Sequence, residues 1–226
     1  AFLGIDWQAL LDGAADVARP LLQNPEQVAE HPSFALACWA KALEDKGYSQ
    51  LIFFSYIPQW AAYGDWFAQL WAESLGKQGL GSMPLPALGV TDQHSLQQMF
   101  LDGPKNKGCL FISCEQQAQG PKFDSDLPPQ WNFLKDRCLL DLFKAEALGT
   151  RMALCNHGIP LLELRLPEPT PYVAGKLMLL LELTTVLTGW LMGIDPLDQP
   201  AVELGKRLAN ASLSAKGLEK EKTMLT

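Results

Sequence analysis

The sequence predicts an α/β domain with a mainly parallel sheet flanked by helices on both faces. Two apolar runs, LIFFSY at 51–56 and GCLFISC at 108–114, sit between turn signals without polar alternation, as strands covered on both faces do. Short strand patterns alternate with longer helical ones, the rhythm of a sheet built with crossover helices. At 226 residues the chain can bury its own core, and neither an internal repeat nor a dividing linker is visible.

Residues 6–18 have helical spacing through Trp7, Leu10, Leu11, Ala14 and Ala15, with Asp6 placed as N-cap and Pro20 past the end. Asn24-Pro25 restarts a helix expected to run through Leu36, Trp39 and Leu43 and to stop before Gly47. After the 51–56 strand, a helix starting near Pro58 puts Trp60, Tyr63, Phe67, Leu70, Trp71 and Ser74 on one stripe, and Gly76 marks its end. Residues 84–90 read as a short strand, and Thr91 or Asp92 caps a helix through Phe100.

Beyond the 108–114 strand, residues 115–130 are rich in Gln, Gly, Pro and Asp and read as a surface loop, followed by a helix at 136–156. LLELRL at 161–166 alternates apolar and charged residues, which suits an edge strand. Residues 177–194 approach the length of a membrane span. Glu182 inside them would be costly in a bilayer, so a buried core helix is expected. Gln199 and Pro200 open a last long helix, and the Lys/Glu-rich end from Ser214 is expected to fray. The resulting division is a connecting helix at 1–20, one α/β domain at 21–213 and a charged tail at 214–226.

Composition narrows the partners. With 48% hydrophobic and 19% charged residues the chain reads as soluble and globular. A net charge of −7, with no dense Lys/Arg cluster, argues against nucleic acid and for a small molecule or another protein. The five cysteines form no C-x-x-C pair, so reduced thiols in a cytoplasmic protein are expected, without disulfides or a metal site. No signal peptide is recognisable, and the opening AFLGID, without a methionine, looks cut from a longer chain.

Two groups could move protons near neutral pH. Glu73 falls near the C-terminus of its helix, where the negative end of the dipole makes a carboxylate the better base. Position alone favours the plainer reading, a solvated glutamate or an ion pair with Lys77 one turn on. His94 falls in the first turn after a strand, where a neutral imidazole could relay a proton; a histidine bonded to nearby backbone is the plain alternative. If ligands sit at the carboxyl ends of strands, His94 fits directly, and Glu73 fits only if its helix end returns to that rim. Taken alone, Lys206 is a surface lysine, Gln199 decorates a helix start, and Glu182 is a buried carboxylate needing a partner.

Three stretches change the weight of these readings: W-A-E-S-L-G-K at 71–77, G-V-T-D-Q-H-S at 89–95 and D-Q-P-A-V-E-L-G-K-R-L-A at 198–209. Together with A-F-L-G-I-D at the start and G-x-L-x-G-I-D-P-L-D-Q-P at 189–200, they resemble the signatures of bacterial-type glucose-6-phosphate isomerases. The chain departs from the usual Asn-Pro-Phe-Asp-Gln-Pro-Gly of that family at 195–201, where it reads D-P-L-D-Q-P-A.

The resemblance implies a sugar-isomerase (SIS) domain, a three-layer sandwich that interconverts aldose and ketose phosphates through a cis-enediol without a cofactor. It implies that Glu73 is the base moving the proton between C1 and C2. His94 would be the ring-opening histidine reaching a neighbouring subunit's site in a homodimer, Lys206 the lysine assisting ring opening, and Gln199 a substrate contact. It also implies that the chain is the second of two such domains, so that the phosphate-gripping loop lies in an N-terminal half and the isolated chain is inactive. The competing reading is a non-catalytic module of the same fold that senses sugar phosphates or dimerises.

Overall fold

A computed structural model describes residues 4–123, 126–213 and 216–225. Strands β1 (Gln50–Ser55), β2 (Met83–Leu88), β3 (Lys107–Cys114) and β4 (Leu161–Leu166) form one sheet in the order β2-β1-β3-β4, all parallel. In chain order the helices are α1 (Trp7–Gln23), α2 (Pro32–Asp45), α3 (Ala61–Leu75), α4 (Thr91–Ser95), α5 (Gln97–Asp102), α6 (Leu139–Asn156), α7 (Pro171–Met192), α8 (Pro200–Ser212) and α9 (Glu219–Thr223).

The unbroken apolar runs became the two central strands because each of their faces meets a different core. On one face, Leu51 and Phe53 join Leu110 and Ile112 against Leu36 of α2, Phe67 and Trp71 of α3, and Leu177 and Leu181 of α7. On the other, Ile52 and Phe54 join Cys109 and Phe111 against Phe100 of α5 and Leu154 of α6. Phe53 stacks on Phe67 with ring centroids 4.8 Å apart. β4 is an edge strand, as its alternation predicts: among the described residues it pairs only with β3, and its residues are half-buried or exposed.

The apolar helix α7 is long enough to cross a membrane by length and composition, yet it packs against α1, α2 and α3. Its threonines suit a buried helix: the hydroxyls of Thr184, Thr185 and Thr188 donate to the carbonyls of Leu180, Leu181 and Thr184 at 2.7–2.8 Å. Glu182 on the same helix is half-buried, and burial pushes its carboxyl above the usual range. Glycines bring α1 and α7 to backbone contact. A Cβ on Gly13 would come within 1.9 Å of the Tyr172 carbonyl oxygen, and one on Gly175 within 1.9 Å of that of Leu10.

That contact explains the first departure from the sequence reading. α1 runs past Pro20 to Gln23, since a proline in the last turn removes one N–H while packing on α7 holds the rest. The second departure is at His31. The segment Pro25–Glu30 is a 3-10 turn, and α2 begins afresh at Pro32, because the residue before a proline is driven to extended geometry. The His31 ring caps the new helix, accepting at Nδ1 from the Ser33 N–H (3.3 Å) and pairing at Nε2 with the Val17 carbonyl (3.1 Å).

The helix expected at 136–156 starts at Leu139 instead. Asp136 adopts a positive φ of 65°, and the Asp141 carboxylate accepts from the Cys138 N–H at 2.8 Å to cap the start. Residues 91–102 form two short helices rather than one. The Asp92 carboxylate reaches back to the Leu88 N–H (2.7 Å) and also accepts from the Ser95 hydroxyl (2.6 Å). Past residue 215 the chain is not frayed throughout: α9 packs on α8, with buried Glu221 held 3.3 Å from Arg207 Nε. Cys109 and Cys114 are buried as expected, whereas Cys38 and Cys155 are exposed.

Candidate active site

α3 leaves the carboxyl end of β1 and runs back along the sheet, so its last turn lies at the amino end of the strands. Trp71 shows this directly: its Nε1 donates to Ser82 Oγ (3.2 Å), one residue before β2 begins. Glu73 therefore does not return to the carboxyl rim. It borders a cavity of about 300 Å³ between the end of α3 and the α7–α8 connection, which also presents Gln199, Asp198 and Asp195. That volume is at the lower end of small-ligand pockets.

The expected ion pair between Glu73 and Lys77 does not form. Lys77 turns away to donate to the carbonyls of Ser74 (2.9 Å) and Asp195 (2.5 Å) and to pair with Asp198 Oδ1 at 3.1 Å. Three acceptors saturate the three N–H groups of an ammonium. Lys77 thus straps the 195–198 loop to the end of α3, and the loop carries Gln199 to the cavity mouth. The Glu73 carboxylate keeps only a 3.2 Å bond from the Gln69 amide. Gln199, at the N-cap position of α8, makes no side-chain capping bond.

Among the described residues, a carboxylate with free lone pairs and an amide without a hydrogen bond thus share one cavity, and the amino end of α8 borders it too. The positive end of that helix dipole favours negative charge developing nearby. The arrangement suits removal of a proton from a small polar ligand whose anionic intermediate is then stabilised.

The other two candidates stand elsewhere. His94 lies on α4, directly after β2 at the carboxyl end of the sheet, exposed and without a hydrogen bond among the described residues. It falls in the last turn of a five-residue helix. Its neighbour Gln93 is anchored, donating from Nε2 to Tyr56 Oη (2.6 Å), Thr150 Oγ1 (2.6 Å) and the Glu146 carbonyl (3.3 Å). Lys206 is on α8, with its side chain 65% exposed and its Nζ 2.7 Å from Glu203 Oε1. It does not border the cavity.

Lys77 as a strap, with Asp195 and Asp198 as its partners, escaped the sequence reading. All three fall inside the quoted motifs, but nothing in those motifs signals the bond from Lys77 to the Asp195 carbonyl 118 residues on. Among the described residues, no group of three His, Cys, Asp or Glu could hold a metal ion.

Fold and cavity together define an open parallel α/β domain with a carboxylate- and amide-lined cleft at one end of its sheet. Comparison gives that class a specific set of relatives. The chain is 32% identical to a probable glucose-6-phosphate isomerase of Methanococcus maripaludis over 220 residues, and 36% identical to a glucose-6-phosphate isomerase of Rubrobacter xylanophilus over 224. Each match takes in 96% of this chain but only 48% and 50% of the relative, so the chain spans about half the length of the curated relatives it matches.

Among solved structures, a hypothetical protein of Thermus thermophilus superposes with a TM-score of 0.85 at 32% identity, covering 95% of this chain and 52% of that one. A glucose-6-phosphate isomerase of Chlamydia trachomatis shares the fold, with a TM-score of 0.74 at 21% identity over 96% of this chain and 46% of that one. No protein-family model matches the sequence.

Proposed function

We propose that this chain is the C-terminal sugar-isomerase half of a bacterial-type, cytoplasmic glucose-6-phosphate isomerase that interconverts glucose 6-phosphate and fructose 6-phosphate. The observation that carries the reading is the joint placement of Glu73 and Gln199 in one cavity, with Glu73 paired to no cation among the described residues. In this reading Glu73 abstracts the proton alpha to the substrate carbonyl and returns it to the neighbouring carbon. Gln199 holds substrate hydroxyls, and the amino end of α8 eases charge on the enediolate.

His94, at the far end of the sheet from Glu73, opens the sugar ring in the neighbouring subunit of a homodimer. Lys206 leaves Glu203 to meet substrate when the N-terminal half closes over α8. Support comes from relatives named for this activity that match nearly the whole chain, each about twice its length. A sensing or dimerisation module would not require an unpaired carboxylate opposite a free amide.

The test is reconstitution. The 226-residue chain alone should show no measurable turnover of fructose 6-phosphate, and adding the separately produced other half should restore it. Robust turnover by the chain alone would overturn the reading of a half enzyme.

A further inference from the structure

The carboxyl end of the sheet holds a second crevice, which the isomerase reading does not use. Strand order reverses at β1: the chain goes outward to β2 on one side and to β3 and β4 on the other. In open parallel sheets such a reversal leaves a crevice outside the strand ends, because the two following connections depart over opposite faces. Here that place is a cavity of about 310 Å³, bordered by Tyr56 just past β1, Ser113 and Cys114 ending β3, and Gln117 beyond them.

Its chemistry is distinct from that of the Glu73 cleft. The floor is apolar and aromatic, made by Phe111, Phe143 and Leu148. The walls bring three cations, Lys144, Arg151 and Arg165, against two carboxylates, Glu115 and Glu163, so the lining is net positive in a chain of net charge −7. Glu163 organises the cations. It accepts from Ser113 Oγ (2.7 Å), Arg151 Nη1 (2.8 Å) and Arg165 Nη2 (3.2 Å), which fixes both guanidinium groups while engaging one N–H of each. Lys144 is held by the Glu115 carbonyl at 2.9 Å. Among the described residues the three cations make no other hydrogen bond, and a planar guanidinium presents its remaining N–H groups in pairs to an oxyanion.

We propose that this crevice binds a small organic oxyanion, a phosphate monoester or carboxylate, with its charged end on Arg151, Arg165 and Lys144 and its body over Phe111 and Phe143. The site is separate from the Glu73 cleft and does not depend on the isomerase reading. Tyr56, which borders it, also receives the Gln93 amide bond beside His94, so an occupant touches the support of α4.

Titrating the labelled 226-residue chain with inorganic phosphate, phenyl phosphate and benzoate, followed by amide chemical shifts, tests this. Saturable shifts at Gln117, Lys144 and Arg151 are expected. Phenyl phosphate should bind more tightly than inorganic phosphate, and affinity should fall as salt rises. The comparison of phenyl phosphate with benzoate tells which oxyanion the site prefers. Arg165→Gln, at an exposed position that the fold does not need, should weaken binding by about tenfold, and adding Lys144→Gln should weaken it further. Shifts confined to Glu73, Lys77 and Gln199, no saturable binding by any probe, or unchanged affinity in the well-folded double variant would each overturn the proposal.

Discussion

The two ends of the sheet carry opposite kinds of site. At the amino end the cation lining the cleft is consumed: Lys77 donates to Ser74, Asp195 and Asp198, and among the described residues the Glu73 carboxylate meets no cation and the Gln199 amide makes no bond. At the carboxyl end the carboxylate Glu163 is consumed, held by Ser113, Arg151 and Arg165, and three cations face two carboxylates. A reactive base must be free of ion pairs, whereas an anion-binding cleft needs spare positive donors. Which charge is neutralised internally therefore tells what each end can do.

The comparison is sharpened most by removing the free carboxylate. In a protein carrying both halves, Glu73→Gln should lower turnover by about 10²- to 10⁴-fold with little change in melting temperature. Persistent exchange of the transferred proton with solvent would show that another group is the base.

Next comes the placement of His94 at the opposite end. Mixing inactive Glu73→Gln and His94→Ala forms of the full protein and allowing subunits to exchange should recover about a quarter of wild-type activity. Half of the dimers are then mixed, and each mixed dimer contains one intact site. Failure of mixtures to recover activity would place both residues in one subunit's site.

A smaller effect follows from cutting the strap. Lys77→Met leaves the Asp195 carbonyl and Asp198 without their shared donor, and should destabilise the fold by about 1–3 kcal/mol. Amide exchange should rise at Leu197, whose N–H is bonded to Asp195 Oδ1 at 2.9 Å, while β3 stays protected. Equal loosening of both would mean that Lys77 supports the fold generally rather than the loop.

The smallest effect lies at the other end and depends on pH. Burial works to raise the Glu163 carboxyl, but the Ser113 hydroxyl and the two arginines outweigh it, and the net position is below the usual range. A depressed carboxylate stabilises the fold above its unfolded pKa and loses that contribution as pH falls through the folded value. Glu163→Gln should therefore melt lower than wild type at pH 7, by no more than a few degrees, with the gap closing only as pH falls below the usual glutamate range. A gap independent of pH would assign the loss to packing rather than charge.

Much of the fold was legible because two strands, 51–56 and 108–114, had no polar face to hide and no proline to interrupt them. The misread boundaries share a cause: a local signal met a tertiary contact. Pro20 signals a stop, but α1 lies against α7 through Gly13 and Gly175 and continues. Thr91 and Asp92 look like caps for one long helix, yet the Asp92 carboxylate closes on the Leu88 N–H and the helix is divided.

The candidate site was legible as motifs, and its geometry was not. Glu73 and Gln199 each stood in a recognisable stretch, while their meeting depends on Lys77 bonding to Asp195 and Asp198 across a long separation. The Glu163 cluster gave no signal at all, since LLELRL reads as an ordinary edge strand until Ser113 and Arg151 are placed beside it.

Gln93 has a consequence for whatever His94 meets. Its amide is tied to Tyr56 and Thr150 in the interior, so the peptide carrying His94 inherits a fixed bearing from the core even though the imidazole itself stands in solvent. A side chain mounted on a floating turn would have to be immobilised at the moment of contact. One mounted on an anchored turn has most of that ordering completed during folding, and only its own two torsions remain to be settled by the surface it touches.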